Sequence, residues 1–278
     1  MKRCVGVFRE TENSPDREWD DERILRLAGE GMKRYGLAVE LLRPEEISWG
    51  NGSCPDYAFV MCEHRSAIEG LRRWEEEGAM VINSARSVLN TYRENMVTLL
   101  SGTSVPFPRS VVVPTEPGGG GEAAWKELGA DPVWVKRGDV HCVEPGDVVY
   151  ASSSEAMAEA LEAMAGRGIT SAVVQRHIEG DLIKFYGVGA AEGIEWFHWF
   201  YHREQALKKY PFDVEELRSK AFEAARVLGL EIFGGDAIAT EENEFFIIDV
   251  NAWPSFALFR EEASERISRY LARRFLGR

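Results

Sequence analysis

The spacing of apolar and polar positions switches between two periods along the chain, and the switches mark its elements. Short apolar runs at CVGVF (4–8), LAVELL (37–42), DYAFVMC (56–62) and AMVIN (79–83) read as buried strands. Between them, Ile24, Leu27 and Met32 in residues 20–35, and Ile68, Leu71 and Trp74 in residues 65–78, recur at helical intervals. Strands alternating with helices at this spacing predict a small α/β unit with a parallel sheet.

From about residue 89 the pattern changes. Residues 90–100 read as one helix, with Gly102 near its end, and two prolines in SVPFPRSVVV (104–113) set an extended entry to a strand. PTEPGGGGEAAW (114–125) reads as a flexible loop, because its four glycines lack the spacing and trailing Lys-Ser/Thr of a phosphate loop. PVWVKRGD (132–139) is a strand ending in charge, and residues 141–151 turn into another. Residues 152–168 are a serine-capped, alanine-rich helix, followed by a strand and turn at TSAVVQRHIEGD (170–181). IKFYGVGAAEG (183–193) and IEWFHWFYHRE (194–204) pair as a hairpin around Glu192-Gly193. An amphipathic helix (214–231), a second hairpin (232–240 with 243–254) and a helix with a basic polar face complete the chain. Antiparallel pairs with helices between them predict α+β architecture here.

Composition narrows the partners. The net charge of −13 over 278 residues argues against nucleic acid or an anionic membrane surface, though it permits a local basic pocket. Cys4, Cys54, Cys62 and Cys142 form no CxxC pair, which favours reduced thiols in a cytoplasmic protein over a disulfide framework or zinc site. MKRCVGVFRE turns charged too soon for a signal peptide, and no apolar run reaches membrane-spanning length.

The informative chemistry lies in FIIDVNAWPS (246–255), a strand that reads as buried yet carries Asp249 and Asn251 on one face. Buried carboxylates are costly unless paired or bound to a cation. Asp236, on the other arm of the hairpin, is nearly equidistant from the turn and can approach Asp249. Two carboxylates and an amide oxygen are hard ligands suited to Mg²⁺; a capped turn or salt-bridged pair is the plain alternative. Lys136, beside Arg137 at a strand end, can meet a phosphate as a point charge or simply be solvated. Lys184 shares a strand face with Tyr186 and Val188, where it either serves a site or extends to water. His198 and His202, with Trp196 and Phe200, fit aromatic packing better than a metal pair, and that face can also line a pocket. HExxH, GxSxG and GxGxxG are absent, so the common hydrolase and dinucleotide readings lack support.

In order, Lys136, VVQRHIEGD, the lysine of IKFYGVG, the GGDAI strand and IIDVNAWPS resemble the ATP-grasp superfamily over residues 89–258. The likeness extends to its ribosomal-protein glutamate ligase-like and inositol-phosphate kinase-like branches. It implies a Rossmann-like domain at 1–88, a central lobe at 89–175 and a C-terminal lobe with the metal site at 176–278. ATP would lie between the lobes. By the same resemblance Gln175 would sit near the adenine amino group, the backbone of His177 and Ile178 at the adenine edge, and Glu179 or Asp181 near the ribose. Lys136 would touch the α- and β-phosphates, and Lys184 the γ-phosphate and its acceptor. Asp236, Asp249 and Asn251 would hold Mg²⁺, or Mn²⁺, and residues 138–147 would close over the phosphates. Arg93 departs from the pattern by standing where many members carry a phosphate-binding lysine, and Asp249 by standing where many ligases carry glutamate.

The acceptor decides the enzyme. A carboxylate would give an acyl phosphate and then an amide; a hydroxyl would give a phosphate ester. ETENSPDREWDDE (10–22) is rich in acids, and Glu10, Glu12 and Asp16 would suit an amine-bearing co-substrate. Arg65 and Arg72/Arg73 are the cations that stand out, too few for a polyphosphorylated sugar. The expectation is a carboxylate–amine ligase acting on a small molecule or peptide, with a hydroxyl kinase and a silent nucleotide-binding protein as alternatives. A homo-oligomer through an edge strand or the last helix stays open.

Overall fold

A computed structural model describes residues 2–14, 17–50, 54–140, 144–189 and 193–277. Its first sheet holds β1 (Arg3–Val7), β2 (Ala38–Leu42), β3 (Tyr57–Val60) and β4 (Met80–Ile82), all parallel in the order β2-β1-β3-β4. The short apolar runs form strands because both faces are covered. Val5, Val7, Ala58 and Val60 face α2 (Arg65–Glu76), whereas Cys4, Tyr57 and Phe59 face the side of α1 (Glu18–Lys33).

The chain then turns through α3 (Ala85–Asn90) and α4 (Arg93–Leu100). Residues 90–100 are therefore not one helix. Tyr92 is buried and donates its hydroxyl to Glu63 O at 2.8 Å, which commits its ring to the first sheet. Thr91 Oγ1 donates to Val88 O, and Asn95 Nδ2 to Leu89 O, closing the corner between the helices.

The second sheet is antiparallel, with β5 (Ser110–Pro114), β6 (Val133–Arg137), β7 (Val148–Ala151) and β8 (Ser171–Arg176) in the order β5-β8-β6-β7. It is covered by α5 (Gly121–Glu127) and α6 (Ser154–Gly166), the latter capped by Ser153 Oγ, which accepts from Ala156 N. Helix α5 begins inside the glycine-rich stretch expected to be loop. Gly120 takes a left-handed φ of 96° that turns the chain, and good helix formers follow, with Lys126 bonded to Glu122 one turn back.

The third sheet joins β9 (Asp181–Val188), β10 (Trp196–Tyr201), β11 (Ile232–Ala239) and β12 (Phe245–Ala252) in the order β10-β9-β11-β12, all antiparallel. Both expected hairpins form; Glu192, in the first turn, lies outside the described residues. Helix α7 (Val214–Leu228), capped by Asp213, packs beneath this sheet, and α8 (Arg260–Leu276) packs on α1.

The apolar cores are shared unequally. Two clusters each combine residues of the first and third sheets, whereas the third cluster is built from the second sheet with α5 and α6. Buried Asn83 locks the first union, donating to Ile232 O at 2.7 Å and accepting from Glu231 N and Ile232 N. Among the described residues no helix is long and apolar enough to cross a membrane.

Candidate active site

Strand register places the polar side chains. Lys184, Asp236 and Asp249 form one straight row across β9, β11 and β12, and Tyr186, Gly234 and Asn251 form the next. Register partners and residues two apart share a sheet face, so this row pair makes a polar patch on one side. Lys184 Nζ lies 2.8 Å from Asp236 Oδ1, and Arg93 Nη2 lies 3.3 Å from Asp249 Oδ2. Glycine is required beside them. A Cβ on Gly235 would sit 2.4 Å from Asp249 O and from the Phe185 ring, and one on Gly234 would sit 2.7 Å from Pro254.

The donor set fits a hard divalent ion. No group of three or more His, Cys, Asp or Glu side chains that could hold a metal occurs among the described residues. The patch offers two carboxylates in register, with the Asn251 amide on the same face. Magnesium is commonly held in this way, by one or two carboxylates plus water and substrate phosphate oxygens.

Two cavities meet at this patch, and Arg93, Asp236 and Asp249 line both. The one of about 410 Å³ also takes Lys136, Gln175, His177, Ile178 and Glu179 into its wall. Lys136 is buried, donating to Gln175 Oε1 at 2.7 Å and Ile248 O at 3.1 Å. Burial pulls its pKa down to about 8, with Asp249 opposing and Arg93 assisting. Gln175 Nε2 donates to Ser110 Oγ at 3.3 Å. His177 receives the Trp134 indole N–H on Nδ1 at 3.0 Å, and its own amide is donated to Pro132 O. Glu179 stands at the exposed rim; the hydrogen bond from Lys208 lowers its pKa, and His177 adds to the effect.

Asp181 does not join them. Its carboxylate is buried and accepts from Lys208 N at 2.8 Å and Tyr210 N at 2.9 Å, fixing the chain after β10. Of the two residues expected near a ribose, Glu179 lines the cavity and Asp181 holds the fold. In the expected phosphate-covering segment, His141, Cys142 and Val143 lie outside the described residues. Val140 O accepts from Arg93 Nη1 at 2.9 Å, and Arg137 bonds both Asp139 and buried Asp147.

The other cavity, of about 310 Å³, reverses an expectation of charge. Its wall from the first unit is Arg9, Asn13, Ser14, Arg17 and Asp21. Glu10 is turned away, accepting from Glu63 N and His64 N; burial raises its pKa against those bonds. Glu12 is exposed and does not line the cavity, and Asp16 lies outside the described residues. Arg65 and Arg72 pair at the surface with Glu94 and Glu76, and Arg73 donates to Trp49 O. Sequence reading missed Arg9 and Arg17. A signal existed for Arg9, which lies two residues past the end of β1, and the carboxyl ends of parallel strands are where such sheets bind ligands. His198 packs against Phe259 with ring centroids 3.7 Å apart, burial lowering its pKa, and neither it nor His202 lines these two cavities.

The chain superposes along nearly its whole length on solved ATP-grasp proteins. A RimK domain protein from Sphaerobacter thermophilus matches 97% of this chain and 99% of its own at 17% identity, with a TM-score of 0.69. The fold is the ATP-grasp fold. D-alanyl-alanine synthetase A from Vibrio cholerae aligns with a TM-score of 0.72 over 99% of this chain and 98% of its own at 10% identity. The D-cycloserine synthetase DcsG aligns at 0.69 over 98% and 99% with 16% identity. No family model matches the sequence, and no curated protein matches it. The ATP-grasp fold expected from the ordered motifs is thus the fold observed.

Proposed function

We propose that the protein is a Mg-ATP-dependent ligase that joins a carboxylate to an amine through an acyl phosphate. The observation that carries the reading is the shared wall: two cavities meet at Arg93, Asp236 and Asp249, so a nucleotide in one can present its terminal phosphate to an acceptor in the other. Solved neighbours named as ligases or synthetases support the direction of the chemistry.

ATP occupies the 410 Å³ cavity, with its base against Gln175, His177 and Ile178 and its ribose toward Glu179. Lys136 and Arg93 neutralise phosphate oxygens. Asp236, Asp249 and Asn251 would hold the magnesium, which would supply charge neutralisation at the phosphates. Lys184 sits beside Asp236 at the junction and steadies the transferring phosphoryl group. An oxygen of the acceptor carboxylate attacks the γ-phosphorus, and the bond to the β–γ bridging oxygen breaks, releasing ADP. A neutral amine then attacks the carbonyl carbon; phosphate leaves, one proton is lost from nitrogen, and an amide remains.

Hydroxylamine tests this without the natural amine, because it intercepts an acyl phosphate as a hydroxamate. With Mg-ATP, hydroxylamine and a panel of carboxylic acids, ADP release and hydroxamate should appear together for at least one acid. A phosphate ester formed from a polyol, stable to hydroxylamine, would replace the ligase with a kinase. Nucleotide binding without ADP release across both panels would leave a silent binder.

A further inference from the structure

The 310 Å³ cavity holds polar groups that neither the magnesium patch nor ATP uses. Arg17 lines it, is exposed to it, and makes no ion pair among the described residues. Of the acids near it, Asp21 accepts from Ser14 Oγ at 2.7 Å and lies 3.4 Å from Arg9, and Asp20 is paired with Arg260. Arg17 is also the residue before α1, and its own side chain caps no amide of that helix. Two more polar side chains line this cavity while more than nine-tenths buried: Tyr186, 8% exposed, and Ser255, 5% exposed. Neither hydroxyl has a protein hydrogen-bond partner among the described residues. The Tyr186 phenol is pushed up to about 12 by burial, with the Arg17 charge opposing, so it is a donor at neutral pH.

A cation and two unspent hydroxyls line the same cavity as Lys184 and the carboxylate row, and the Arg17 charge lies near enough to act on the Tyr186 phenol. Tyr186 and Lys184 are two residues apart on β9, about 7 Å along the strand. We infer that the acceptor is a dianionic acid: one carboxylate is activated beside Lys184, and a second anionic group, carboxylate or phosphoryl, rests on Arg17, Tyr186 and Ser255. This rests on the ligase reading for the reacting end only. The anion site stands on its own groups.

Calorimetry separates the anion site from the ligase chemistry. The full-length protein is saturated with Mg²⁺ and a non-hydrolysable ATP analogue, then titrated with glutarate, 3-phosphonopropionate or butyrate. At least one of the two dianions should bind ten-fold or more tightly than butyrate, and which does so identifies the second group. Arg17→Gln should erase that preference, and Tyr186→Phe, which keeps the ring, should weaken it several-fold. Equal binding of all three acids, or a preference untouched by both variants, would overturn the inference. If Arg17-dependent binding is present and no acid yields hydroxamate, the ligase reading falls and the anion site stays. Hydroxamate from mono- and dianions alike, indifferent to Arg17, removes the anion site and keeps the ligase.

Discussion

Lys136→Met isolates the energy stored in one buried charge. Lys136 is only 6% exposed, and its amine is held by neutral oxygens rather than by a carboxylate. Its pKa falls from 10.5 to about 8, a difference of roughly 3 kcal/mol between the two protonation states. The folded protein therefore binds fewer protons than the unfolded chain between about pH 8 and pH 10.5. Stability contributed by this residue is lowest below pH 8, where the buried ammonium is charged, and rises as pH climbs through that window. The stability of wild type minus that of Lys136→Met should increase by about 2 kcal/mol from pH 8 to pH 10. Methionine leaves Gln175 Oε1 and Ile248 O without this donor, an offset of about 1–3 kcal/mol each that does not vary with pH. Urea denaturation of both ligand-free proteins at pH 7, 8, 9 and 10 measures the difference, and other titrating groups cancel. Saturating Mg-nucleotide should shift the window upward, because a phosphate beside Lys136 favours its charged form. A stability difference that stays flat from pH 8 to pH 10 would refute the buried, unpaired lysine, and with it the proposed phosphate contact.

Asp249→Asn should abolish ADP release while the far-ultraviolet spectrum is retained; turnover at the wild-type rate would remove the metal assignment. Gly235→Ala drives a methyl into Asp249 O and the Phe185 ring, so thermal denaturation should show a loss of about 1–3 kcal/mol or more. Asp181→Ala strands the amides of Lys208 and Tyr210 and should cost about 2–3 kcal/mol in denaturant titrations with nucleotide affinity unchanged; a large loss of affinity would return Asp181 to the nucleotide cavity.

The legible parts of this molecule were those written in local pattern. The β11–β12 hairpin could be read because a polar turn and two apolar arms fix the register, which brings Asp236 opposite Asp249. Lys136 and Lys184 were legible as charges on strands but not by what surrounds them. Lys184 joins the carboxylate row only through the pairing of β9 with β11, which spans residues 189–231 of intervening chain. For Asp181 and Glu10 one thing was hidden: sequence shows a carboxylate but not whether backbone amides already occupy it. Arg9 and Arg17 were passed over because the acids around them dominate the composition of that stretch, and only folding turns Glu10 inward. The break at Tyr92 was invisible because a tertiary hydrogen bond to Glu63, not a glycine or proline, ends the helix.

The contact between α1 and α8 constrains the order in which the chain can mature. Ile24, Leu25, Ala28 and Met32 of α1 share a core with Ile267, Tyr270, Leu271 and Phe275, far along the chain. During synthesis α1 is made early, yet its side that packs on α8 has no partner until α8 leaves the ribosome. The second sheet carries its own core and can close long before. The second sheet is therefore free to fold before the core shared by α1 and α8, which must wait for α8.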